Sequence, residues 1–281
     1  MGLSMLCLDF AGLTFAVELP SPASYEVLED RFAAFPGATP ADWHVTVLLD
    51  PTLVPDDERW IRHDGPVTTY RVANEPGWVD LAGCQAEVTA SSEARVPQVL
   101  GRVLSYICML VLPRAHNALL LHAAGIVLDS AGCVFTGASG AGKTTVARLA
   151  AGRGEVLVDE NVILRAGPDG PELVSTPFWG TTTPSELIHR TNRVVPLRGI
   201  YVLAHAPDFR LTALSPAEAV VALLSTEKVA TERAESAAAW LRVAERLIDR
   251  TPVYRLDFRP TVELWDFLIH SQTVSLPGDA D

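Results

Sequence analysis

Lysine is nearly absent from this chain of 281 residues. Only Lys143 and Lys228 occur, and arginine supplies the other positive charges. Acidic residues outnumber basic ones by 34 to 22, which gives a formal net charge of −12. Proteins that bind nucleic acids place clustered Lys and Arg against the phosphate backbone. The sequence has no such cluster, so we expect no nucleic-acid partner.

Cysteines are also few, and the apolar runs are short. The four cysteines are Cys7, Cys84, Cys108 and Cys133. They lack the CxxC spacing of zinc and redox sites, which predicts buried, reduced thiols. The longest apolar runs, 107–112 and 118–128, fall short of the roughly 20 residues that cross a bilayer. With no signal-peptide pattern at the N-terminus, we expect a cytoplasmic protein without a membrane partner.

The remaining composition, 48% hydrophobic and 20% charged, is that of a globular protein with a sizeable core. Residues 1–92 are predicted to form a smaller β-rich N-terminal domain, and 93–115 a connecting helix. Residues 116–281 are predicted to form an α/β domain of mixed order. The N-terminal strands are expected at 13–19, 43–50, 68–73 and 84–90. The C-terminal domain is expected to hold a hairpin at 129–132, a helix at 144–154, strands at 155–165, 197–206 and 252–258, and helices at 215–224, 235–250 and 261–270.

The segment TGASGAGKTT at 136–145 is the most specific motif of the chain. It satisfies the pattern G-x-x-x-x-G-K-[ST], with a predicted strand before it and a predicted helix after it. Glycines let the backbone curl so that its N–H groups face a phosphate, and the start of the helix adds partial positive charge. We therefore expect Lys143 to reach the β and γ phosphates of a nucleotide and the Thr144 hydroxyl to bind Mg²⁺. The predicted nucleotide-binding residues are Gly137, Ala138, Ser139, Gly140, Ala141, Gly142, Lys143, Thr144 and Thr145.

An acidic pair, Asp159 and Glu160, ends the next apolar strand. A carboxylate at such a strand end can hold Mg²⁺ or orient a nucleophile. Because adjacent side chains of a strand point to opposite faces, only one of the two can face the phosphate, and we favour Asp159.

His122 lies one strand before the glycine loop, in LLLHAAGIV. Together with the loop and the VLVDE segment, it resembles the catalytic domain of the HPr kinase/phosphorylase family over about residues 119–165. The tail of the chain, from STPFWG at 175–180 to the segments PVYRLDF and TVELWDFL, resembles shorter stand-alone relatives. Some of those phosphorylate a peptide hydroxyl in ribosomal-peptide maturation, as lasso-peptide-type peptide kinases do. Glu160 stands where the bifunctional enzymes usually have Asp.

The resemblance implies a mixed-sheet P-loop kinase core related to phosphoenolpyruvate carboxykinase. It implies an ATP- and Mg²⁺-dependent serine kinase in which Asp159 is the general base and Glu160 lies beside it. Lys143 and Thr144 would hold the nucleotide and the metal, with Asp159 as a second metal ligand. His122 would lie near the γ-phosphate. The acceptor is left open among a peptide, a protein and a small molecule, and a homo-oligomer is one alternative for the assembly.

Two other functions remain from the residues themselves. One is a nucleotide-driven regulatory ATPase or switch, in which water is the acceptor. The other is a binding module that keeps the loop without chemistry. Three arginines are candidate phosphate clamps, although each is expected on the surface: Arg193, Arg198 and Arg259. Three tryptophans could form a peptide-binding surface, although we favour the core: Trp43, Trp60 and Trp78. Three histidines lack the spacing of metal ligands: His189, His205 and His270.

Overall fold

The computed structural model describes residues 4–178, 190–226 and 234–273, so Lys228 and His189 lie outside the described residues. These ranges form a mixed α/β protein with two sheets, one of them in a β-rich N-terminal region. The chain divides into two compact units, one up to Cys108 and one from Met109. The functional domain boundaries inferred from the sequence stay a prediction.

A seven-stranded sheet forms the N-terminal unit, in the order β1-β2-β3-β7-β6-β5-β4. Its strands are β1 (Ser4–Phe10), β2 (Leu13–Leu19), β3 (Trp43–Leu49), β4 (Arg59–Asp64), β5 (Val67–Val72), β6 (Glu75–Asp80) and β7 (Gln85–Ala90). The four predicted strands are confirmed as β2, β3, β5 and β7. Strands β1, β4 and β6 were not predicted. Charged residues interrupt the apolar alternation of β4 and Pro76 interrupts that of β6, whereas β1 alternates regularly.

Helix α1 (Pro22–Phe32) was also missed. Its start is encoded locally: the Ser21 hydroxyl accepts a hydrogen bond from the backbone N–H of Ser24, and Pro22 occupies the first turn. The helix buries Leu28 and Phe32. The sequence analysis predicts only strands in this part of the chain, so the helix is a correction to it, and the cap at Ser21 with the proline after it is the local signal for the helix.

A buried carboxylate organises one side of this unit. Glu75 is fully buried, and its two oxygens accept hydrogen bonds from Arg95 at 2.9 and 2.7 Å. The Ser91 hydroxyl donates to it at 3.0 Å, and Arg102 lies 3.6 Å away. Burial pushes the pKa of Glu75 upward, but the hydrogen bonds from Arg95 and Ser91 outweigh it, so the pKa lies below its ordinary value.

Helix α2 (Val96–Val111) follows a 3-10 turn at Glu93–Arg95 and continues into a π-helical turn at Leu112–His116. A helix is therefore present where the sequence predicts one, while its role as a connection between two domains stays a prediction. By length and composition alone, Glu93–His116 could cross a membrane, and 61% of its apolar window is buried inside the protein.

The C-terminal unit has eight strands and four helices among its described residues. Its strands are β8 (Ala118–Leu128), β9 (Ala131–Thr136), β10 (Glu155–Val158), β11 (Asn161–Ala166), β12 (Pro171–Val174), β13 (Val194–His205), β14 (Arg210–Ala213) and β15 (Val253–Phe258). Its helices are α3 (Lys143–Leu149), α4 (Pro216–Leu224), α5 (Ala234–Ile248) and α6 (Glu263–Thr273). The predicted elements of this part are confirmed, except that α3 ends before 154. The 155–165 segment, predicted as one strand or a strand pair, is a pair.

One turn and one helix cap form where the sequence predicts them. Asp129 and Ser130 both have positive φ, 47° and 67°, and join β8 to β9 in a two-residue hairpin. The capping box at the start of α4 forms as expected, with the Ser215 hydroxyl and the Glu218 carboxylate each bonding the other's backbone N–H.

Strand direction brings several chain segments to one edge of this sheet. β9 and β10 both pair antiparallel with β8, so they run in the same direction. β13 pairs parallel with β9, and β15 pairs parallel with β13. The carboxyl ends of β9, β10, β13 and β15 therefore lie at a common edge, the position where open α/β sheets bind ligands.

The prediction of buried, reduced thiols holds in part. All four cysteines are free, but Cys7 and Cys84 are half-buried. Cys108 and Cys133 are buried, and burial raises the pKa of the Cys108 thiol well above its ordinary value.

Candidate functional site

The glycine loop connects β9 to α3 at the common edge. Gly137 is buried, whereas Ala138, Ser139 and Gly140 are exposed at the tip of the loop. Positive φ values of 82° at Gly140 and 102° at Gly142 bend the backbone in a way that residues with a side chain rarely adopt. The loop therefore turns back on itself, with its tip open to solvent.

Lys143 closes this loop. Its ammonium donates hydrogen bonds to the carbonyl oxygens of Gly137 at 2.9 Å and Ala138 at 3.2 Å. The residue is only 6% exposed, which is unusual for lysine. A buried ammonium group is thus fixed over the loop by the loop's own carbonyls, while Thr144 and Thr145 follow it, half-buried, in the first turn of α3.

The acidic pair follows the carboxyl end of β10. Asp159 is only 3% exposed, whereas the Glu160 side chain is 46% exposed. The two carboxylates thus lie in different environments. β10 is separated from β9 by the single strand β8, so Asp159 belongs to the same edge as the glycine loop.

His122 and Glu160 face each other across the β8–β11 pairing. The Nδ1 atom of His122 lies 3.7 Å from a carboxylate oxygen of Glu160. The backbone N–H of Ala123 donates to the Glu160 carbonyl at 3.1 Å, and the buried Thr136 hydroxyl donates to the His122 carbonyl at 3.2 Å. Since Thr136 directly precedes Gly137, these bonds join His122, the acidic pair and the start of the loop.

His205 is a member of this edge that the sequence reading did not assign to it. It ends β13, and its Nε2 lies 3.1 Å from the carbonyl oxygen of Gly140. Its ring stacks on that of Phe258, with centroids 5.4 Å apart. Only the parallel register of β9, β13 and β15 reveals this placement, and no local motif around His205 signals it.

The three candidate clamp arginines interact elsewhere. Arg193 pairs with Glu155 at 2.5 Å, Arg198 lies 3.8 Å from Asp129, and the guanidinium of Arg259 stacks over Phe209. Of the three tryptophans, Trp43 is buried in the core as favoured, whereas Trp60 and Trp78 are half-buried.

Within the described ranges, no group of three or more His, Cys, Asp or Glu side chains is arranged to hold a metal ion. Mg²⁺ does not require such a cluster, since it commonly takes one or two protein oxygens together with water and substrate phosphates. The Thr144 hydroxyl and the Asp159 carboxylate are oxygen donors of the type it prefers, so the residues present fit it.

Comparison with known proteins gives a family match. A family model described as "SynChlorMet cassette protein ScmC" matches residues 84–269. A search of curated proteins finds no match. A search of solved structures finds the Hpr(Ser) kinase/phosphatase from Coxiella burnetii, which is 12% identical. The alignment covers 55% of this chain and 96% of that one, with a TM-score of 0.29, too low to establish a shared fold.

Proposed function

The chain belongs to the family described as SynChlorMet cassette protein ScmC, and we propose that it is an ATP- and Mg²⁺-dependent kinase of the HPr kinase-like type. It transfers the γ-phosphate to a hydroxyl group of a peptide, a protein or a small molecule. One observation carries the proposal: a glycine loop with a buried lysine and a buried carboxylate share one edge of the sheet. These are the two parts that a phosphoryl transfer between oxygens requires.

The loop and Lys143 supply the nucleotide site. The ammonium is a compact point charge, which suits the β and γ phosphates of ATP. Because the carbonyls of Gly137 and Ala138 already fix its position, it is held ready at the loop. Charge stabilisation by a group that need not reorganise is the largest contribution in many enzymes of this kind.

Asp159 supplies the base. As the acceptor oxygen forms its bond to the γ-phosphorus, its proton passes to the Asp159 carboxylate, and the bond between the γ-phosphorus and the β–γ bridging oxygen breaks. ADP leaves with that electron pair, and Asp159 later returns its proton to solvent. A carboxylate at 3% exposure has few competing water contacts, which favours a hydroxyl over water as the group it deprotonates.

The same two oxygen donors, Thr144 and Asp159, would hold Mg²⁺, which when bound neutralises charge on the phosphates. The pair of His122 and Glu160 is the remaining polar feature beside the loop. The His122 ring lies beside the Glu160 carboxylate, and the His122 backbone carbonyl accepts a hydrogen bond from Thr136, the residue that precedes the loop. We assign it to hydrogen bonding with the γ-phosphate.

The test uses ATP labelled at the γ-phosphate, Mg²⁺ and three kinds of acceptor: HPr protein, a Ser-terminated peptide and a small-molecule extract of the host. Wild type and Asp159→Asn are compared for transfer and for nucleotide binding. Loss of a general base lowers the rate by about 10²–10⁴-fold. We expect that loss in transfer, with nucleotide affinity retained. Phosphate transfer by Asp159→Asn at the wild-type rate would show that Asp159 is not the base. If wild type releases the label only as free phosphate, the ATPase alternative is favoured.

A further inference from the structure

His205 is the one polar side chain at the carboxyl end of β13 that bonds the glycine loop in the described part of the chain. We propose that it is a positioning residue for nucleotide binding: its Nε2–H donates to the Gly140 carbonyl and fixes the tip of the loop in its phosphate-binding shape. The inference rests on the proposed function, because it concerns the same nucleotide site.

The fold places His205 there by strand register. Val202 of β13 is paired with Thr136 of β9, the last residue before the loop, so β13 extends three residues beyond that point to His205. On its other side, His205 is paired with Phe258, the last residue of β15. The end of β13 thus reaches past the sheet edge to the level of the loop.

Phe258 fixes the plane of the imidazole. Its side chain is fully buried, and the two rings lie 24° from parallel. Gly142 packs against the same surface: a Cβ at Gly142 would lie 2.7 Å from Cζ of Phe258 and 3.5 Å from Cε1 of His205. The histidine ring is therefore seated between a rigid aromatic and the loop backbone, which directs Nε2 at Gly140.

The bond sets the orientation of a peptide group. In a trans peptide the C=O and the following N–H point in opposite directions. With the Gly140 carbonyl turned to His205, the N–H of Ala141 points back into the loop, where it donates to the Ala138 carbonyl at 3.0 Å. That same carbonyl accepts from Lys143 at 3.2 Å. Lysine and histidine thus hold the loop from two sides.

Gly140 is a place where such a restraint matters. It is exposed, it has φ of 82°, and no heavy atom lies within 4 Å of where its Cβ would stand. The side of Gly140 on which a Cβ would stand is therefore open, and no side chain packs there to hold the tip. Without the histidine donor, the tip of the loop samples other conformations. Part of the free energy of nucleotide binding is then used to order the tip, so the affinity falls.

A residue that only shapes the loop contributes equally to the ground state and the transition state. Its loss raises the dissociation constant and KM of the nucleotide and leaves kcat nearly unchanged. One neutral hydrogen bond corresponds to a change of roughly three- to tenfold in affinity. This split distinguishes His205 from Asp159, whose loss should lower kcat.

Two variants test the hydrogen-bond donor and the aromatic ring of His205 separately, and a third is the control. His205→Phe keeps an aromatic ring on Phe258 and removes the donor, whereas His205→Gln restores an N–H donor without the ring. Arg210→Gln, an exposed substitution on β14, is the control. Binding of a non-hydrolysable ATP analogue is measured by calorimetry beside KM and kcat, with thermal unfolding as the check on folding.

We expect His205→Phe to weaken analogue binding by about three- to tenfold, with kcat within about twofold, and His205→Gln to recover most of the affinity. Unchanged or tighter binding by His205→Phe overturns the inference, and so does an equal loss in both variants. If wild type binds the analogue but transfers no phosphate, the kinase proposal fails while the binding result still decides the role of His205. If wild type binds no nucleotide, both fail.

Discussion

The ammonium nitrogen of Lys143 lies 2.9 Å from the carbonyl oxygen of Gly137, six residues earlier in the chain. This bond ties the last residue of the glycine loop to its first. It also places the most buried positive charge of the loop at the sheet edge where β9, β10, β13 and β15 end. The proposed nucleotide site depends on this relationship.

The first prediction concerns the chemical group that carries the positive charge at position 143. Lys143→Met should abolish nucleotide binding, and Lys143→Arg should weaken it at least about tenfold, because a planar guanidinium cannot replace a compact ammonium at this buried position. Calorimetry with an ATP analogue measures both. Arg210→Met, which removes an exposed positive charge from β14, is the matched control and should bind as wild type does. Retained affinity in Lys143→Met would place the nucleotide elsewhere.

The second prediction concerns space behind the loop. Gly142→Ala would bring a methyl group to 2.7 Å from the buried Phe258 ring at a φ of 102°, so the loop must shift. We expect nucleotide affinity to fall by about 5- to 150-fold, since a tight contact of this kind costs about 1–3 kcal/mol. Gly152→Ala is the control, because its φ of 74° is similarly strained but its Cβ meets open space. Equal affinities for the two variants would contradict the packing.

The third prediction separates the two neighbouring acids. If Asp159 is the base and Glu160 only orients His122, Glu160→Gln should lower kcat by no more than about tenfold, against about 10²–10⁴-fold for Asp159→Asn. The reason for the difference is that Asp159 is buried, whereas the Glu160 side chain is 46% exposed. Steady-state transfer rates check it. A larger loss of kcat in Glu160→Gln than in Asp159→Asn would identify Glu160 as the base instead of Asp159.

The fourth prediction concerns the stability of the N-terminal unit. Glu75→Ala removes a fully buried carboxylate from Arg95 and Arg102, which lie at 2.7 and 3.6 Å. Leaving these partly buried charges without a partner should lower the free energy of unfolding by about 2–4 kcal/mol. Hydrogen exchange of peptides from β5 to β7 reports on this unit. Asp56→Ala breaks a more exposed pair with Arg71 and should change stability by less than about 1 kcal/mol.

The fifth prediction is the pH dependence of the same contact. Burial raises the pKa of Glu75, but the hydrogen bonds from Arg95 and Ser91 lower it further, to below its ordinary value of 4.5. A carboxyl group with a lowered pKa in the folded state stabilises the fold above its unfolded pKa, and this contribution disappears as the pH falls through the folded pKa. The stability difference between wild type and Glu75→Gln should therefore be constant above pH 4.5 and shrink below it. A difference that is the same at pH 3 and pH 7 would show that Glu75 does not titrate in this way.

Much of the fold could be predicted because the signals are local. The hairpin at Asp129 and Ser130 and the capping box at Ser215 and Glu218 are each encoded within four residues, and both form. Helix α1 carries a similar signal at Ser21 and Pro22, but it was overlooked between strands.

The site is different, because it depends on pairings between distant strands. The glycine loop and the acidic pair are recognisable as motifs, and the order of the strands together with the family resemblance predicts that they lie close together. The role of His205 depends on its register with Phe258 and on the position of Gly140, 65 residues away. The residues next to a histidine in the sequence do not determine how its strand pairs with strands that are distant in the chain. The partners of Arg193 and Arg198 were equally inaccessible, since each pairs across strands with an acid far away in sequence.

The most direct test of the central claim is the fate of the γ-phosphate. Wild type is incubated with Mg²⁺, γ-labelled ATP and each acceptor, and the ADP formed is compared with the label on the acceptor and the label in free phosphate. We expect one phosphorylated hydroxyl for each ADP with one class of acceptor, and loss of both products in Asp159→Asn. ADP matched entirely by free phosphate, at a rate that no acceptor changes, would contradict a kinase and identify an ATPase.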